Sequence, residues 1–262
     1  MATTEESAAG PKPPPISDAM NDECFASLYK KMTSFVTDYM SSYDPSHDMA
    51  HVQRVVSLSM KILHGEQGLH PDIGYNPTVV KLAALLHDVE DRKYSSNAAL
   101  VAQVTGISES EVLKAEGTHQ QQPCSIASYV LSAHGMDARL ADKIQKIIYH
   151  VSYSKECKDP ELVRNMVSQY PELGIVQDAD RLDALGAIGI GRCFTFLGAQ
   201  GKKFVGPDGK WEMENSIQHF GEKLEKLEGM MKTQTGRKMA RERTARLKIF
   251  KGWWEEEMLE SF

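Results

Sequence analysis

The feature that most constrains the fold is a set of four metal-ligand residues far apart along the chain. They are His51 in HDMAHVQRV, the adjacent His87 and Asp88 in LAALLHDVEDRKYS, and Asp180 in QDADRLDALG. The gaps are 36 residues from His51 to His87 and 92 from Asp88 to Asp180, so no local structure joins them. An adjacent His and Asp can both reach one ion only in a particular helical frame. The spacing therefore predicts a helical fold that brings distant segments to one metal site.

Length and composition predict a water-soluble globular protein. At 262 residues the chain is well above the size at which burial becomes marginal, which favours one domain with extensions. Charged residues make up 25% and hydrophobic residues 41%, and the uncharged apolar runs are too short to span a membrane. A net charge of -6 and a pI of 5.9 argue against a nucleic-acid polymer as partner. Small anions remain compatible with a local positive pocket.

The cysteines and the N-terminal segment predict a cytoplasmic protein. Four widely spaced cysteines form no C-x-x-C pair, which favours reduced thiols; they are Cys24, Cys124, Cys157 and Cys193. Residues 1–18 are rich in Pro, Ala and Ser and lack an apolar core, so we expect a disordered leader and not a secretory signal.

Apolar residues at three- and four-residue steps predict an all-α protein, because no long stretch alternates with period two. Ser46 is the predicted cap of the helix that carries His51. TVVKLAALLHDV is almost wholly apolar and predicts a buried helix, in which a His-Asp pair must be bonded or coordinated. The predicted helices cover about 19–42, 46–64, the TVVKLAALLHDV stretch, 95–104, 108–117, 123–134, 137–151, 159–170, 173–198, 213–233 and 237–258.

Two C-terminal segments need separate interpretation. Residues 198–215 contain four glycines and the turn signals PDG and DGK, which predict a long mobile loop, with a lid as the alternative. Seven basic residues lie between 237 and 251, but apolar residues interleave with them. This pattern favours an amphipathic helix that packs on the body over a nucleic-acid surface.

The set H…HD…D, with HxxRV around the first His and ADRLDALG around the last Asp, resembles the HD-domain phosphohydrolase superfamily over about residues 44–200. The phrases HDMAHVQRV, LAALLHDVEDRKY, IIYHVSYSK and QDADRLDALGAIGIGR look like the branch of small bacterial-type HD hydrolases that includes nucleotide pyrophosphohydrolases. The resemblance implies an all-helical bundle. The expected division is a leader (1–18), an HD domain (19–200), a loop (201–215) and a C-terminal helical extension packed on the domain (216–262).

The resemblance also implies the metal ligands, which are His51, His87, Asp88 and Asp180. Asp178 is a rival for the last position, although the Ala-Asp-x-Leu phrase aligns on Asp180. Two imidazoles and two carboxylates suit a divalent ion of borderline softness, with manganese first and magnesium, nickel, iron or cobalt as alternatives. Water and a substrate phosphate can share the open positions.

Further residues are expected to support hydrolysis. Asp91 lies three residues after Asp88 and is the first candidate for proton transfer, with Glu90 as its competitor. Candidates for holding phosphate are Arg54, Lys93 and Lys155.

The remaining histidines leave the metal count open. His150 at the end of DKIQKIIYH is a candidate catalytic residue, and His119 has a weaker case. If both bind metal, the order of the ligands along the chain resembles that of the two-metal members of the superfamily, which include di-iron oxygenases. His47 and Asp48 are interpreted as supporting residues or a helix cap.

The sequence therefore predicts a metal-dependent phosphohydrolase that cleaves a phosphoester or phosphoanhydride of a nucleotide, with a nucleoside triphosphate as the first candidate, or of another small phosphorylated metabolite. The alternatives are a di-iron HD-type oxygenase and a nucleotide-binding regulatory module. A homo-oligomer is compatible with the sequence, which does not fix the oligomeric state.

Overall fold

The computed structural model describes residues 21–89, 98–112, 126–203, 209–210 and 212–260. Every regular secondary-structure element in these ranges is helical, which confirms the predicted all-α class. In chain order the α-helices are α1 (Asp22–Tyr39), α2 (Met49–Leu69), α3 (Pro77–Leu86), α4 (Ala98–Thr105), α5 (Ile126–Ala133), α6 (Ala138–Val151), α7 (Tyr153–Lys158), α8 (Pro160–Gln169), α9 (Pro171–Asp183), α10 (Gly186–Gln200), α11 (Glu214–Glu222) and α12 (Gln234–Glu260). Two 3-10 segments, Gly201–Lys203 and Leu224–Met230, flank α11.

The start of α2 differs from the sequence prediction. Asp48, not Ser46, caps this helix, because the Asp48 side chain accepts a 3.0 Å hydrogen bond from the backbone N–H of His51. The Ser46 hydroxyl instead donates to Asp44. The cap fixes the first turn of α2, and His51 lies in that turn.

The continuous helix predicted over 173–198 is wrong, because the structure has two helices here. The chain bends by 73° between the end of α9 at Asp183 and the start of α10 at Gly186. Gly186 adopts φ +71°, a conformation that L side chains rarely take, and a Cβ there would lie 3.3 Å from the Arg243 side chain. The chain therefore turns directly after the helix that carries Asp180.

Other helix boundaries also differ from the predicted ones. Helix α2 runs to Leu69, beyond the predicted end at 64, and its last turns are held by the buried Glu66, which accepts a 2.8 Å hydrogen bond from the N–H of Thr235. The predicted helix over 213–233 is divided into α11 and a 3-10 segment. Helix α7 was not predicted.

Helix α9 lies at the centre of the bundle. It packs against α2, α3, α6 and α12, and its apolar residues Leu173, Ile175, Val176, Ala179 and Leu182 are fully buried. Helices α2 and α3 also pack against each other. The three helices that carry or precede the predicted metal ligands are therefore in mutual contact.

Helix α12 covers the other side of this centre. It packs against α2, α9 and α10 through buried residues that include Ala240 and Leu247. The division into domain, loop and extension stays a prediction, and residues 1–18 lie outside the described part of the chain. Of the predicted loop 198–215, the first residues belong to α10, whereas 204–208 and 211 are outside the description.

Candidate metal centre

The four predicted ligands come from three neighbouring elements. His51 lies in the first turn of α2, His87 and Asp88 directly follow α3, and Asp180 lies in the last turn of α9. His87 still has helical backbone angles (φ -60°, ψ -29°). The His-Asp pair therefore leaves the apolar helix α3 at the point where α2 and α9 meet it.

The ligand atoms of these residues converge. Nε2 of His51 lies 3.2 Å from Nε2 of His87, 3.2 Å from Oδ2 of Asp88 and 3.7 Å from Oδ1 of Asp180. Nε2 of His87 lies 3.4 Å from the same Asp88 oxygen and 3.8 Å from the same Asp180 oxygen. Ligand atoms of His51, His87 and Asp180 all lie within 4.8 Å of one another.

The outer nitrogens of the two imidazoles determine which nitrogen carries the proton. Nδ1 of His51 lies 2.8 Å from a carboxylate oxygen of Asp183, and Nδ1 of His87 lies 2.9 Å from the carbonyl oxygen of Ala84. Both oxygens only accept hydrogen bonds, so both Nδ1 atoms donate and both neutral rings present an Nε2 lone pair. The 3.2 Å contact between the Nε2 atoms is therefore not a hydrogen bond between neutral rings. A cation placed between them would satisfy both lone pairs.

Asp88 adds a buried negative charge to this cluster. Burial opposes its ionisation, but the neighbouring His87 and His51 outweigh that effect and hold the pKa of Asp88 well below its usual range. Its Oδ2 is buried and has no hydrogen-bond partner among the described residues. A buried carboxylate oxygen in this situation is costly unless a cation binds it. The donor set therefore fits a divalent metal ion.

His51 responds to the same surroundings. Burial disfavours its protonated form, but the contacts with Asp183 and Asp88 outweigh burial and raise the pKa of His51. The imidazole therefore lies in a field that attracts positive charge. A metal ion and a proton would compete for its Nε2.

Asp183 supports the site from outside the ligand set. Besides His51, its fully buried carboxylate accepts hydrogen bonds from Arg54 Nε (2.8 Å) and Nη2 (3.0 Å) and lies 3.1 Å from Arg192 Nη1. Burial raises the pKa of Asp183, but these partners lower it by more, so the group is ionised. The sequence alone did not indicate a role for Asp183. Its position three residues after Asp180 on the same helix was the signal that could have found it.

Arg54 was predicted to hold phosphate, and the structure gives its guanidinium a partner inside the protein. Two of its nitrogens bind Asp183, which leaves Nη1 without a hydrogen-bond partner in the part of the chain that the structure describes. About a third of the side chain is exposed. Arg54 therefore orients Asp183, and only Nη1 is available for a phosphate oxygen.

Asp178, the rival ligand, is used elsewhere. Its carboxylate accepts hydrogen bonds from the N–H of Lys232 (2.8 Å) and from the N–H (2.8 Å) and hydroxyl (2.7 Å) of Thr233. A Cβ at Gly236 would collide with this carboxylate, so glycine is needed for the close approach. Asp178 attaches the segment before α12 to α9, and the geometry favours Asp180 as the ligand.

With this geometry established, comparison with known proteins decides the family. A family model described as "HD domain" matches residues 48–185, which is more than half of the chain and includes all four predicted ligands. The chain belongs to the HD-domain family. This confirms the resemblance inferred from the H…HD…D residues.

Proteins similar to this HD domain include several from bacteria. YpgQ of Bacillus subtilis (strain 168), an uncharacterized protein, is 33% identical over 196 residues, which are 74% of this chain and 75% of YpgQ. The crystal structure of YpgQ in complex with ADP has a TM-score of 0.59 at 27% identity and covers 89% of this chain and 96% of that one. An HD-superfamily hydrolase from Bacillus thuringiensis has a TM-score of 0.57 at 27% identity, with 89% and 98% covered. The chain therefore belongs to the HD-domain hydrolase superfamily.

Two predicted functional residues lie outside the metal cluster of this HD domain. His150 is mostly buried, and its Nδ1 donates to the carbonyl of Lys146 at 2.7 Å. Burial and the charge of Lys155 lower the pKa of His150, although the bond to Lys146 opposes them. The Lys155 amine donates to the carbonyl of Tyr149 at 2.8 Å and lies over its ring.

Several other predictions fall on residues outside the description, namely Glu90, Asp91, Lys93 and His119. His47 lies within it, and its ring packs edge-on against His51 at 5.8 Å between centroids. Its Nδ1 lies 2.7 Å from the Ser46 hydroxyl. His47 is therefore a neighbour of the first ligand, in agreement with a supporting role.

Among the described helices, none taken singly is long and apolar enough to cross a membrane. The bent pair α9–α10, together with the short 3-10 turn that follows it, would pass on length and composition alone.

Proposed function

We propose that this HD domain is a metal-dependent phosphohydrolase that cleaves a phosphoanhydride or phosphoester bond of a nucleotide, with a nucleoside triphosphate as the first candidate. The proposal depends on the donor set at the meeting point of α2, α3 and α9. Two imidazole lone pairs and two carboxylates face one point, and one of the carboxylate oxygens is buried without a partner among the described residues. Such a set needs a cation.

The ligand chemistry guides the choice of metal. Two nitrogen and two oxygen donors suit manganese, iron, nickel or cobalt better than calcium, and magnesium remains an alternative. We propose manganese as the first candidate. Four protein ligands also leave positions for water and substrate on a six-coordinate ion.

The bound ion would supply an acidified water and neutralise charge on the phosphoryl oxygens. The protein supplies orientation and access. The side chain of His51 is only 1% exposed, whereas that of Asp180 is 31% exposed, so we propose that substrate approaches on the Asp180 side. Nη1 of Arg54 is the candidate contact to a phosphate oxygen.

Further roles are proposed for residues near these ligands in sequence. Asp91, with Glu90 as the alternative, is proposed to assist proton transfer, and Lys93 is proposed to hold phosphate. His150 is proposed to position substrate or transfer a proton. Lys155 is the weakest candidate, because its amine would have to leave Tyr149 to reach a phosphate.

The nucleotide in this proposal is supported by similarity. The related protein YpgQ was crystallised with ADP. A nucleotide carries the phosphoanhydride bonds that a single divalent ion and a nearby guanidinium can polarise. Turnover of a nucleotide, and not only its binding, is what the intact ligand set supports.

A substrate screen tests this function. The full-length protein would be incubated with nucleoside mono-, di- and triphosphates and with simple phosphoesters, each with manganese, magnesium, nickel, cobalt or iron, and both phosphate and pyrophosphate would be measured. Asp88→Asn is the inactive control, and Asp142→Asn is the matched surface control, because Asp142 is exposed and pairs only with Lys146 among the described residues. Metal-dependent release that only Asp88→Asn abolishes supports the proposal.

Two other outcomes of the screen would favour a different function. Tight nucleotide binding without release of phosphate or pyrophosphate under any metal would favour the regulatory module. An oxygen-dependent reaction with two irons per chain and no phosphate release would favour the di-iron oxygenase.

A further inference from the structure

The outward face of α12 carries two large apolar side chains that nothing in the described structure covers. Ile249 is 52% exposed and Trp253 is 60% exposed. They are four residues apart and so lie on the same face, one turn from each other. Tryptophan is enriched at protein interfaces and costly to leave in water, so this pair indicates a contact surface.

The rotation of α12 about its axis is fixed by the side chains that pack against the rest of the protein. Phe250 and Trp254 pack against Phe194, with ring centroids 6.2 Å and 5.7 Å apart. The indole N–H of Trp254 donates to a carboxylate oxygen of Glu214 at 2.8 Å. These contacts prevent the helix from turning Ile249 and Trp253 into the core.

The same outward face allows a close approach. Ala245 and Gly252 are both exposed, and they flank Ile249 at distances of four and three residues along the helix. A Cβ added at Gly252 would meet no atom within 4 Å. Small residues on an open face let a second helix approach the backbone closely.

The charges along α12 are divided by sign. Residues 237–251 contain seven basic side chains and one acidic one, whereas residues 252–260 contain four glutamates and no basic side chain. This order opposes the helix macrodipole, which favours acidic groups at the N-terminus and basic groups at the C-terminus. The arrangement is therefore slightly unfavourable within the isolated helix, and a partner with the reverse order of charges would be complementary to it.

The C-terminal end of α12 makes few buried contacts with the rest of its own chain. All six residues from 255 to 260 are exposed, although they remain helical. A helical end without burial is marginal in water, because helix stability in proteins comes mostly from packing. A partner along this end would supply the missing contacts.

We propose that α12 pairs with α12 of a second copy of this chain, antiparallel and related by a two-fold axis near Lys251. In this register Ile249 lies against Trp253 of the second copy, and Trp253 lies against its Ile249. The basic half of each helix then lies beside the acidic half of the other, with Arg246 opposite Glu256. Antiparallel macrodipoles also attract. A two-fold pair of this kind is self-complementary, as the commonest homodimers are.

The length of the outward face of α12 determines how tightly the two copies are expected to bind. From residue 242 to 260 the face is about 28 Å long, given a rise of 1.5 Å per residue. One helix pair of this length buries less than the roughly 1,600 Å² of a standard interface. The dimer is therefore reversible, with a dissociation constant in the micromolar range, and it weakens with salt because its flanking charges are exposed.

Sedimentation equilibrium of the full-length protein over a wide concentration range tests the pairing. We expect a monomer–dimer equilibrium that Trp253→Glu weakens at least ~10-fold. Leu162→Glu on α8 is the matched control, because Leu162 is also an exposed apolar residue and lies elsewhere; it should leave the equilibrium unchanged. Circular dichroism confirms that each variant is folded.

Charge reversal tests the register. Arg246→Glu and Glu256→Arg should each weaken the dimer, and the double variant should restore it, because the reversed pair is again complementary across the two-fold axis. A protein that stays monomeric at every concentration would overturn the proposal. A dimer that Trp253→Glu leaves unchanged, or single reversals that the double variant does not rescue, would overturn it as well.

Discussion

Asp183 and His51 form a 2.8 Å hydrogen bond that fixes which nitrogen of the first metal ligand is available. The imidazole donates from Nδ1, so its Nε2 faces His87 and Asp88 as a lone pair. Arg54 and Arg192 hold the same carboxylate from the other side. Removing a carboxylate that orients a ligand histidine typically lowers metal affinity by about 10- to 100-fold.

The first prediction follows from this pair. Asp183→Asn should weaken manganese binding by about 10- to 100-fold, because the amide can still accept a hydrogen bond but no longer supplies the charge. Isothermal titration with manganese measures the change, with Asp142→Asn as the control. Unaltered affinity in Asp183→Asn would contradict the assigned role.

The second prediction separates Asp178 from Asp180. Asp180→Asn should lose metal and keep its melting temperature measured without metal. Asp178→Asn should keep metal at saturating concentration but lose about 2 kcal/mol of unfolding free energy, because its hydrogen bonds to Lys232 and Thr233 are buried. Metal titration and thermal melts of both variants decide the matter. The opposite pattern would make Asp178 the ligand.

The third prediction concerns the two contacts of Arg54. Arg54→Ala should weaken metal binding through the loss of support for Asp183, and at saturating metal it should still raise KM or lower kcat if Nη1 holds phosphate. Kinetics with and without excess manganese separate the effects. Full recovery by excess metal would restrict Arg54 to positioning Asp183.

The fourth prediction concerns the number of metal ions. Native protein should hold close to one ion per chain, and His150→Ala should keep that number while the rate falls by ~10²-fold, as is typical when a general acid or base is removed. Elemental analysis and single-turnover assays measure both quantities. Two ions in the native protein, one of them lost in the variant, would favour the dinuclear alternative.

The sequence predicted the all-α fold class for a physical reason, whereas the proposed metal ligands came from the resemblance to the HD-domain superfamily. Helical periodicity is local, and the buried helix α3 ending in His87 and Asp88 makes an uncoordinated pair costly, so these features can be read without coordinates. The family model covers all four proposed ligands, and atoms of His51, His87 and Asp180 lie close enough together to hold one ion, but the ligand set itself stays a proposal.

What the sequence did not predict depends on tertiary context. The turn at Gly186 interrupts a helical pattern that continues on both sides, and its need for glycine follows from a positive φ that is set only in the folded chain. The role of Asp183 depends on Arg54, which is 129 residues away along the chain. The position of Asp183 one helical turn after Asp180 marks it as a candidate, but this spacing alone does not tell whether the carboxylate orients a ligand or binds the metal.

The most direct test of the central claim combines metal binding and turnover in one pair of variants. Asp88 supplies the buried oxygen that has no partner among the described residues, so Asp88→Asn should lose both bound manganese and metal-dependent release of phosphate or pyrophosphate from a nucleotide. Asp142→Asn should keep both. If Asp88→Asn binds manganese and turns over nucleotide as the native protein does, the site lies elsewhere and this account is contradicted.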